Sequence, residues 1–589
     1  MRALLLVLAF LAAPLMAQQA TDAIAPEGRG AGGVQVPPSL AAAAQAKAEG
    51  RAFEADNWMI AAAHPLAVEA GARVLRAGGT AADALVAVQV VLGLVEPQSS
   101  GLGGGAFLVW HDGATGELTT LDGRETAPLA ATPRLFLDEA GQPLEFFEAV
   151  MGGRAVGVPG VPALLAEAHG RWGRADWAGL FDDAIGLAGE GFPVSPRLAQ
   201  LVARDAARLA RHPETRAYFL PRGRPLQAGT VLSNPAYAET LRIFAREGVR
   251  PFYTGRIAAD IVVRVQGAEG NPGLLTGTDL AIYQVRERAP VCVPYRGHEV
   301  CGMGPPSSGG VGVGQILGLL EQYDLAALGS DNSDVWRLIG DATRLAFADR
   351  GRFIADSDFV PVPVKGLLAP DYLVARAVLL QGDDALPEVT SGTPSFDHAL
   401  NWGAERTLAR PATSHVSMVD AYGNALAMTS SIENGFGSRL MVRGFLLNNQ
   451  LTDFSFASHQ DGRPIANSVA PGKRPRSSMA PTILRRDGAP VMILGSPGGS
   501  RIIPFVAKTI IAMVDWGMDP QTAVDLPHLV NRFGIYDLEE GVSQLAPGLR
   551  ALGYEVDIRD LASGLHVISI GSHLQGGADP RREGLAYGE

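Results

Sequence analysis

Positive charge is in short supply in this sequence, and that shortage excludes one class of partner. The chain of 589 residues has 49 Lys and Arg against 61 Asp and Glu, a net charge of −12. A surface that binds the phosphates of nucleic acid needs an excess of positive charge, so we expect no nucleic-acid partner. A small anionic substrate remains compatible with this total, because one local arginine can bind it.

Several cofactor and catalytic motifs are also missing. The sequence has no phosphate-binding loop of the form GxxxxGK(S/T), no HExxH zinc motif and no GxSxG nucleophile elbow. The 11 histidines are scattered without the spacing of metal ligands. The glycine-rich stretch 101–105 lacks the lysine of a phosphate loop and predicts a tight turn with a close backbone approach. These absences argue against phosphate-loop, zinc-peptidase and serine-elbow sites.

Long hydrophobic runs are absent after the N-terminus. Arg2 precedes an apolar run from Ala3 to Ala13, and a small-residue pattern follows that ends at Ala17. This arrangement predicts a signal peptide over residues 1–17 and a periplasmic or secreted protein. A membrane anchor is the alternative, but the run is well short of the roughly 20 residues that a spanning helix needs. No later segment predicts a membrane span.

Cysteine is scarce as well, and the two that are present flank a predicted hairpin. A two-residue turn at Arg296-Gly297 would place Cys292 opposite Cys301 in a non-hydrogen-bonded pair. A disulfide is plausible there in an oxidising compartment, and two separate buried thiols are an equally good interpretation. Two cysteines alone make a poor metal site.

Composition separates a tail from a packed body. Residues 18–52 are rich in Ala, Gly, Pro and Gln and contain no aromatic residue, which predicts a flexible tail. From Phe53 onward, periodic apolar segments predict a folded chain that is mainly helical over residues 159–265. The stretch 392–410 predicts an exposed, irregular connection.

A predicted hairpin follows that connection. Residues 413–420 and 425–432 read as two strands, and Gly423 supplies the left-handed residue of a three-residue loop. Counted outward from the loop, this register pairs Thr413 with Ser431. Two hydroxyl groups then face each other on one side of the sheet. A threonine that opens a strand would by itself indicate only β-propensity.

The segment that begins at Thr413 resembles the start of the small subunit of γ-glutamyltranspeptidases, also called glutathione hydrolases. Six other segments resemble further motifs of that family in the same order along the chain, and the resemblance extends from about residue 54 to Arg582. Seven ordered matches argue against chance. The six segments are residues 96–105 (EPQSSGLGGG), 122–128 (DGRETAP), 305–310 (PPSSGG), 446–455 (LLNNQLTDFS), 473–479 (KRPRSSM) and 495–501 (GSPGGSR).

The resemblance implies the α+β fold of N-terminal nucleophile hydrolases, a four-layer αββα sandwich formed jointly by two chains. It implies self-cleavage between Ala412 and Thr413, which gives a large chain with its body at 53–412 and a small chain 413–589. These chains would stay together as a heterodimer. The freed Thr413 would be the nucleophile and its α-amine the base, since such amines titrate at about 7.7–8.0. The implied reaction moves a γ-glutamyl group from a glutathione-like amide to water or an acceptor amine, and it needs neither a metal nor an organic cofactor.

The resemblance also assigns roles around the nucleophile. Ser431 would bond the nucleophile hydroxyl, which agrees with the register of the predicted hairpin. The backbone N–H groups of Gly498 and Gly499 would form the oxyanion hole near the start of a helix that begins at about residue 501.

A second group of matched residues would bind the substrate. Arg124 would bind the α-carboxylate of the γ-glutamyl group, with Ser477 and Ser478 as hydrogen-bonding helpers. Gln450 and Asp453 would hold the α-ammonium group. Each of these polar residues could also be a solvated loop position.

Two departures from the family pattern put strict glutamate selectivity in question. Glu433 stands where well-known members carry asparagine, so a carboxylate there could add to ammonium binding or favour another acyl group. The segment between Asp453 and Arg476 is shorter than in members with a lid loop, which implies a more open site. Cephalosporin (glutaryl) acylases share the fold and similar motifs and are the alternative. A non-catalytic periplasmic binding protein of this fold is a third hypothesis.

Overall fold

Two seven-stranded antiparallel sheets form the centre of the molecule. The structure is a computed structural model and describes residues 33–398, 401–405 and 412–589. We call one sheet the Thr413 sheet; its strands in spatial order are Leu585–Gly588, Met59–Ala62, Thr413–Val419, Ala425–Ser431, Gly105–His111, Leu118–Gly123 and Arg286–Arg288. We call the other the Cys301 sheet; its strands in spatial order are Phe53–Ala55, Leu574–Ala578, His566–Ile570, Ala489–Gly495, Thr482–Arg486, His298–Gly302 and Val291–Tyr295.

The two sheets pack face to face, and helices cover their outer faces. Val109 and Ala427 of the Thr413 sheet contact Ile483 and Ile493 of the Cys301 sheet through one buried cluster. Side chains of the Thr413 sheet that point the other way, such as Trp110, pack against helices in a separate cluster. This alternation follows the two-residue period of a strand. The layers are therefore helix, sheet, sheet and helix, and the predicted αββα fold is confirmed.

The helices divide between the two outer layers. The longer helices are Ala41–Ala48, Pro65–Arg76, Ala81–Val95, Val161–Trp172, Asp182–Glu190, Pro196–Leu209, Pro235–Glu247, Arg256–Gln266, Gly309–Leu320, Ser333–Phe353, Pro370–Ala377 and Ile502–Val514. The shorter ones are Phe146–Val150, Pro213–Phe219, Arg250–Thr254, Gly277–Ala281, Leu325–Leu328, Val364–Leu367, Pro520–Asp525 and Ala546–Ala551. Within the described residues, no helix combines the length and the apolar character needed to cross a membrane.

The register of the predicted hairpin after residue 412 is confirmed, and each strand ends one residue earlier than predicted. Strand Thr413–Val419 pairs with Ala425–Ser431 in a register that places Thr413 opposite Ser431. Gly423 has a φ of +79°, the left-handed conformation that the three-residue loop requires. The register therefore brings the hydroxyl groups of Thr413 and Ser431 close to each other.

The glycine-rich stretch 101–105 lies against neighbouring backbone, as its composition predicts. A Cβ on Gly103 would meet the carbonyl oxygen of Leu446 at 2.0 Å, and one on Gly104 would meet that of Ser431 at 2.2 Å. A side chain at Gly104 would push the Ser431 strand away, and one at Gly103 would displace the backbone of Leu446. These glycines therefore allow the close approach on which the site depends.

Part of the predicted flexible tail is folded. Residues 41–48 form a helix, and Leu40, Ala43 and Ala46 are buried beneath it. Small apolar residues can pack closely without an aromatic anchor, so the absence of aromatic residues was a misleading signal. The predicted signal peptide and residues 18–32 lie outside the described residues, as do 399–400 and 406–411 of the predicted irregular connection.

The two cysteines form a disulfide. Cys292 lies opposite Cys301 in the register of the hairpin Val291–Tyr295 and His298–Gly302, with Pro294 opposite Glu299. The predicted register is confirmed, and of the two interpretations left open by the sequence the structure has the disulfide.

Candidate active site

Thr413 opens a central strand of the Thr413 sheet and is almost fully buried. Its Oγ1 donates a hydrogen bond to Ser431 Oγ over 3.3 Å. Ser431 Oγ in turn donates to the carbonyl oxygen of Ala412 over 2.6 Å. The backbone N–H of Glu433 donates to Ser431 Oγ over 2.8 Å and fixes its orientation. One serine thus links the Thr413 hydroxyl to the carbonyl of the peptide bond that precedes it.

Two glycines lie at the opposite wall of the site. Gly498 has a φ of +142° and Gly499 a φ of +59°, conformations that side chains disfavour. A Cβ on Gly498 would also lie 2.8 Å from Phe505. Helix Ile502–Val514 begins directly after this turn. A turn before a helix N-terminus presents N–H groups and a positive dipole, which suits a developing oxyanion.

A buried ion pair lies beside Thr413. Arg124 Nη2 donates to Asp453 Oδ2 over 2.5 Å, and Gln450 Nε2 donates to the same oxygen over 3.0 Å. Arg124 Nη1 and Gln450 Oε1 are buried and have no hydrogen-bond partner among the described residues. Such atoms are costly to leave unsatisfied. One unused donor and one unused acceptor therefore lie beside a buried carboxylate, as recognition of a zwitterionic α-amino acid group would require.

The carboxyl group next to Arg124 does not neutralise it. Glu125 is fully buried, and its Oε2 lies 3.7 Å from Arg124 Nη1. Burial raises the pKa of Glu125 to about 8, against the opposing effect of Arg124. Glu125 is therefore mostly protonated at neutral pH, and Asp453 is the carboxylate that balances the arginine.

The two predicted serine helpers are held by buried polar groups. Ser477 Oγ accepts from the backbone N–H of Met479 over 3.1 Å. Ser478 Oγ accepts from Arg350 Nη2 over 2.7 Å. Arg350 belongs to the helix Ser333–Phe353 and also bonds Ser308 Oγ over 2.8 Å. Both serines are therefore oriented by their surroundings and are not solvated loop positions.

A small cavity connects these residues. Its lining consists of Arg124, Thr413, Ser431, Glu433, Gln450, Asp453, Ser477, Ser478, Met479, Gly499 and Ile502. Nine of the ten predicted site residues line it, and Gly498 is the neighbour of Gly499. The cavity volume is about 20 Å³, room for a single water molecule. In this uncut chain Ala412 is fully buried next to Ser431, so the residue before Thr413 occupies space beside the cavity.

Sequence reasoning missed four residues at this site. Met479 and Ile502 form its apolar wall, Arg350 holds Ser478, and Arg582 Nη1 donates to the carbonyl oxygen of Thr413 over 2.9 Å. Met479 and Ile502 lie inside or next to matched motifs, where adjacency was a usable signal, and Arg582 is the last residue of the resemblance. Arg350 lies on a helix of ordinary amphipathic pattern, and nothing in the sequence distinguishes it.

A stacked αββα sandwich whose central strand opens with a buried threonine, opposite a glycine turn, defines an N-terminal nucleophile hydrolase. Comparison with known proteins narrows this class. A family described as Gamma-glutamyltranspeptidase matches residues 67–589. The chain belongs to the γ-glutamyltranspeptidase family and is a hydrolase or transferase.

The proteins to which this chain is similar include glutathione hydrolases and acylases. The chain is 37% identical over 548 residues to the glutathione hydrolase proenzyme of Bacillus subtilis (strain 168), covering 90% of this chain and 91% of the relative. It is 36% identical over 523 residues to the acylase ACY 1 proenzyme of Pseudomonas sp. (strain V22), covering 87% and 89%. Among solved structures, the cephalosporin acylase of Bacillus halodurans superposes with a TM-score of 0.81 at 26% identity, over 92% of this chain and 97% of that one.

Proposed function

We propose that this chain is a self-processing γ-glutamyl hydrolase/transferase that acts on glutathione-like amides through Thr413. The chain of hydrogen bonds from Thr413 Oγ1 through Ser431 Oγ to the Ala412 carbonyl carries the proposal. It places a nucleophile, a hydrogen-bond donor and a peptide carbonyl in contact beside a cavity with a buried arginine. Family membership and the proenzyme relatives support the same reaction class.

Self-cleavage begins at the peptide bond before Thr413. Thr413 Oγ1 attacks the carbonyl carbon of Ala412, while Ser431 Oγ donates to the carbonyl oxygen as it gains negative charge. The C–N bond breaks, the nitrogen takes the proton that the Thr413 hydroxyl has lost, and Ala412 remains as an ester on Thr413 Oγ1. Water hydrolyses that ester and leaves a large chain that ends at Ala412 and a small chain that starts at Thr413.

The new α-amine makes the mature site. In the uncut chain the Thr413 nitrogen is an amide and cannot accept a proton, whereas the free amine can act as base for its own hydroxyl. Both sheets contain strands from both sides of the cleavage point, and neighbouring strands such as Met59–Ala62 and Thr413–Val419 pair across it, so sheet hydrogen bonds support a stable heterodimer after cleavage. Release of Ala412 also gives the site room, because Ala412 is buried beside Ser431.

Turnover then uses the residues around the cavity. The γ-carbonyl of the substrate acylates Thr413 Oγ1, and the amine passes the hydroxyl proton to the leaving amine. The N–H groups of Gly498 and Gly499 stabilise the oxyanion. Arg124 Nη1 binds the α-carboxylate, and Gln450 Oε1 with Asp453 binds the α-ammonium group. Water or an acceptor amine then removes the acyl group, and no metal or organic cofactor takes part.

Export is part of the same proposal. Residues 1–17 have the pattern of a cleaved signal peptide. The Cys292–Cys301 disulfide supports a periplasmic or secreted location, because disulfides persist in oxidising compartments.

A glutaryl acylase is the second candidate function. The acylase relative and the similarity to a cephalosporin acylase structure favour it, as does the departure at Glu433. A glutaryl group keeps the terminal carboxylate of a γ-glutamyl group but lacks the amino group. Arg124 would therefore serve either substrate, whereas Asp453 distinguishes them because it pairs with the ammonium charge.

Asp453→Asn tests this distinction. We expect kcat/KM for a γ-glutamyl chromogenic amide to fall by roughly 10- to 150-fold, because a hydrogen bond to a charged group is lost. Turnover of the matching glutaryl amide should change much less. The ratio of the two kcat/KM values is the readout, so a general loss of folding cancels.

Glu433→Gln is the companion variant, because it removes a charge at nearly constant volume. A smaller fall in the same ratio would assign Glu433 a share of ammonium binding. If the wild type cleaves only the glutaryl amide, the acylase function replaces the γ-glutamyl function. An unprocessed and inactive wild type would point to the third hypothesis, a binding protein.

Gly498→Ala should damage the oxyanion hole. The added methyl group would meet Phe505 at 2.8 Å, and alanine disfavours a φ of +142°. The turn must then shift, and we expect kcat to fall by roughly 10²- to 10³-fold with little change in KM. Steady-state kinetics on the cleaved protein measure this. Gly488→Ala is the control, since its Cβ would meet nothing within 4 Å and its φ of +82° imposes similar backbone strain away from the site.

A further inference from the structure

Arg582 reaches the nucleophile from the C-terminal segment. It is almost fully buried, and its Nη1 donates to the carbonyl oxygen of Thr413 over 2.9 Å. Its side chain passes Gly564, where a Cβ would lie 2.8 Å from Arg582 Cδ. Any residue larger than glycine would displace the arginine. Arg582 is therefore held in one position over the residue that carries the proposed chemistry.

The N-terminal helix fixes the backbone of this segment. Lys47 of the helix Ala41–Ala48 donates through Nζ to the carbonyl oxygens of Arg582 and Gly584, both over 2.7 Å. Burial lowers the pKa of Lys47 to about 8. The helix that the sequence predicted as a flexible tail is thus connected to Thr413 through one intervening residue.

We propose that Arg582 is a positioning residue that keeps the freed α-amine of Thr413 in its neutral, proton-accepting form. The proposal rests on the proposed function, in which that amine is the base. Covalent geometry places the amine nitrogen no more than roughly 6.5 Å from the Arg582 guanidinium, because both flank the same carbonyl group. A fixed cation at that range destabilises an ammonium ion and lowers its pKa.

Most other charges near Thr413 are balanced by partners. Ser414 Oγ, on the neighbouring residue, donates to Glu96 over 3.3 Å, and Glu96 forms a buried ion pair with Arg197. Glu583 accepts from the backbone N–H of Arg197 over 3.0 Å, and burial raises its pKa. Glu96 and Arg197 are therefore paired with each other, and Glu583 is held against the start of the helix that carries Arg197.

Further charged pairs and two histidines face the site from other elements. Arg124 is paired with Asp453 across the cavity, and Asp579 is paired with Arg581 on the C-terminal segment. On the strand side, burial lowers the pKa of His566 to about 3 and that of His415 well below its usual value, so both rings are neutral.

Glu433 is the opposing group. Its backbone N–H bonds Ser431, and its carboxylate accepts from Asn449 Nδ2 over 2.5 Å. A carboxylate near the amine raises the amine pKa, in the direction opposite to Arg582. The Arg582 guanidinium is hydrogen-bonded to the carbonyl oxygen of Thr413 itself. The variants below remove its effect on the pKa of the amine.

The test is the acidic limb of the pH profile of kcat/KM. Removing the cation raises the pKa of the amine, so a higher pH is needed to deprotonate it. In Arg582→Gln, which keeps a hydrogen-bond donor, we expect the limb to move up by about one pH unit. Activity should fall about tenfold at a pH below the limb and stay near that of the wild type above it. Arg582→Met should show the same shift.

Two controls separate charge from structure. Arg582→Lys keeps the charge and should restore the wild-type limb. Arg51→Met removes an exposed cation that pairs with Glu49 and has no part in the contacts around Arg582, so it should leave the limb in place. Rates are normalised to the amount of small chain, so incomplete cleavage does not distort the comparison.

Self-cleavage supplies an internal control, because the uncut chain has no α-amine. The pH dependence of cleavage should not move in Arg582→Gln. A lower kcat/KM at every pH with an unmoved limb would overturn the proposal, and so would loss of self-cleavage in both neutral variants. A wild type that stays uncut, or that lacks γ-glutamyl turnover, would instead contradict the proposed function.

Discussion

Thr413→Ala is expected to abolish both self-cleavage and turnover. The Thr413 hydroxyl donates a hydrogen bond to Ser431 Oγ, and Ser431 Oγ donates one to the Ala412 carbonyl. Without the hydroxyl, no acyl ester forms in either reaction. We expect the γ-glutamyl hydrolysis rate to fall by on the order of 10⁴-fold or more, as when other enzymes lose their nucleophile. Release of a chromogenic amine measures the rate, and gel electrophoresis shows the uncut chain.

Thr413→Ser is the matched control for this loss. Serine keeps the hydroxyl and the α-amine and removes only a methyl group, so cleavage and turnover should both persist at reduced rates. The loss of the methyl group frees rotation about χ1, which accounts for a reduction of this kind. Turnover by Thr413→Ala at more than a few per cent of the wild-type rate would contradict the assignment of the nucleophile.

Arg124→Met is expected to produce the second largest loss, through substrate binding. The variant removes the donor proposed to bind the α-carboxylate and leaves Asp453 buried without its cation. Truncating one member of a buried charge pair costs about 2–5 kcal/mol, so kcat/KM should fall by roughly 10²- to 10³-fold. Most of this loss should be an increase in KM, because the carboxylate does not change charge during the reaction.

Comparing the γ-glutamyl and glutaryl amides distinguishes the loss of carboxylate binding from a general loss of activity. Arg124→Met should weaken the binding of the γ-glutamyl and glutaryl amides alike, since both substrates carry the carboxylate. Asp453→Asn should weaken mainly the binding of the γ-glutamyl amide. Arg124→Lys keeps the charge but loses the planar fork, so it should recover part of the affinity. An unchanged KM for both amides in Arg124→Met would show that the carboxylate binds elsewhere.

Local rules predicted the parts of the fold that short-range geometry determines. The glycine at the third loop position fixed the hairpin register, and that register alone placed Thr413 opposite Ser431. The same reasoning placed Cys292 opposite Cys301. A strand pairs its residues at fixed intervals from its turn, so one correct turn locates every partner along the pair.

Packing between distant parts of the chain could not be predicted from these local rules. The segment 41–48 has an unremarkable composition, and it folds because Leu40 and Ala43 meet a core formed by distant residues. The bond from Arg582 to Thr413 joins residues 169 positions apart, and no local period indicates it. The ordered motifs predicted which residues would meet at the site. Their orientation depends on three-dimensional contacts such as Arg350 with Ser478.

The mass of the purified wild-type chains tests the central claim most directly. Intact mass spectrometry of the exported protein should give two chains, with the smaller one beginning at Thr413 and ending at Glu589. Thr413→Ala, purified in parallel, should give one uncut chain. A single uncut wild-type chain that still hydrolyses γ-glutamyl amides would contradict the account, because the Thr413 nitrogen would then remain an amide and could not serve as the base.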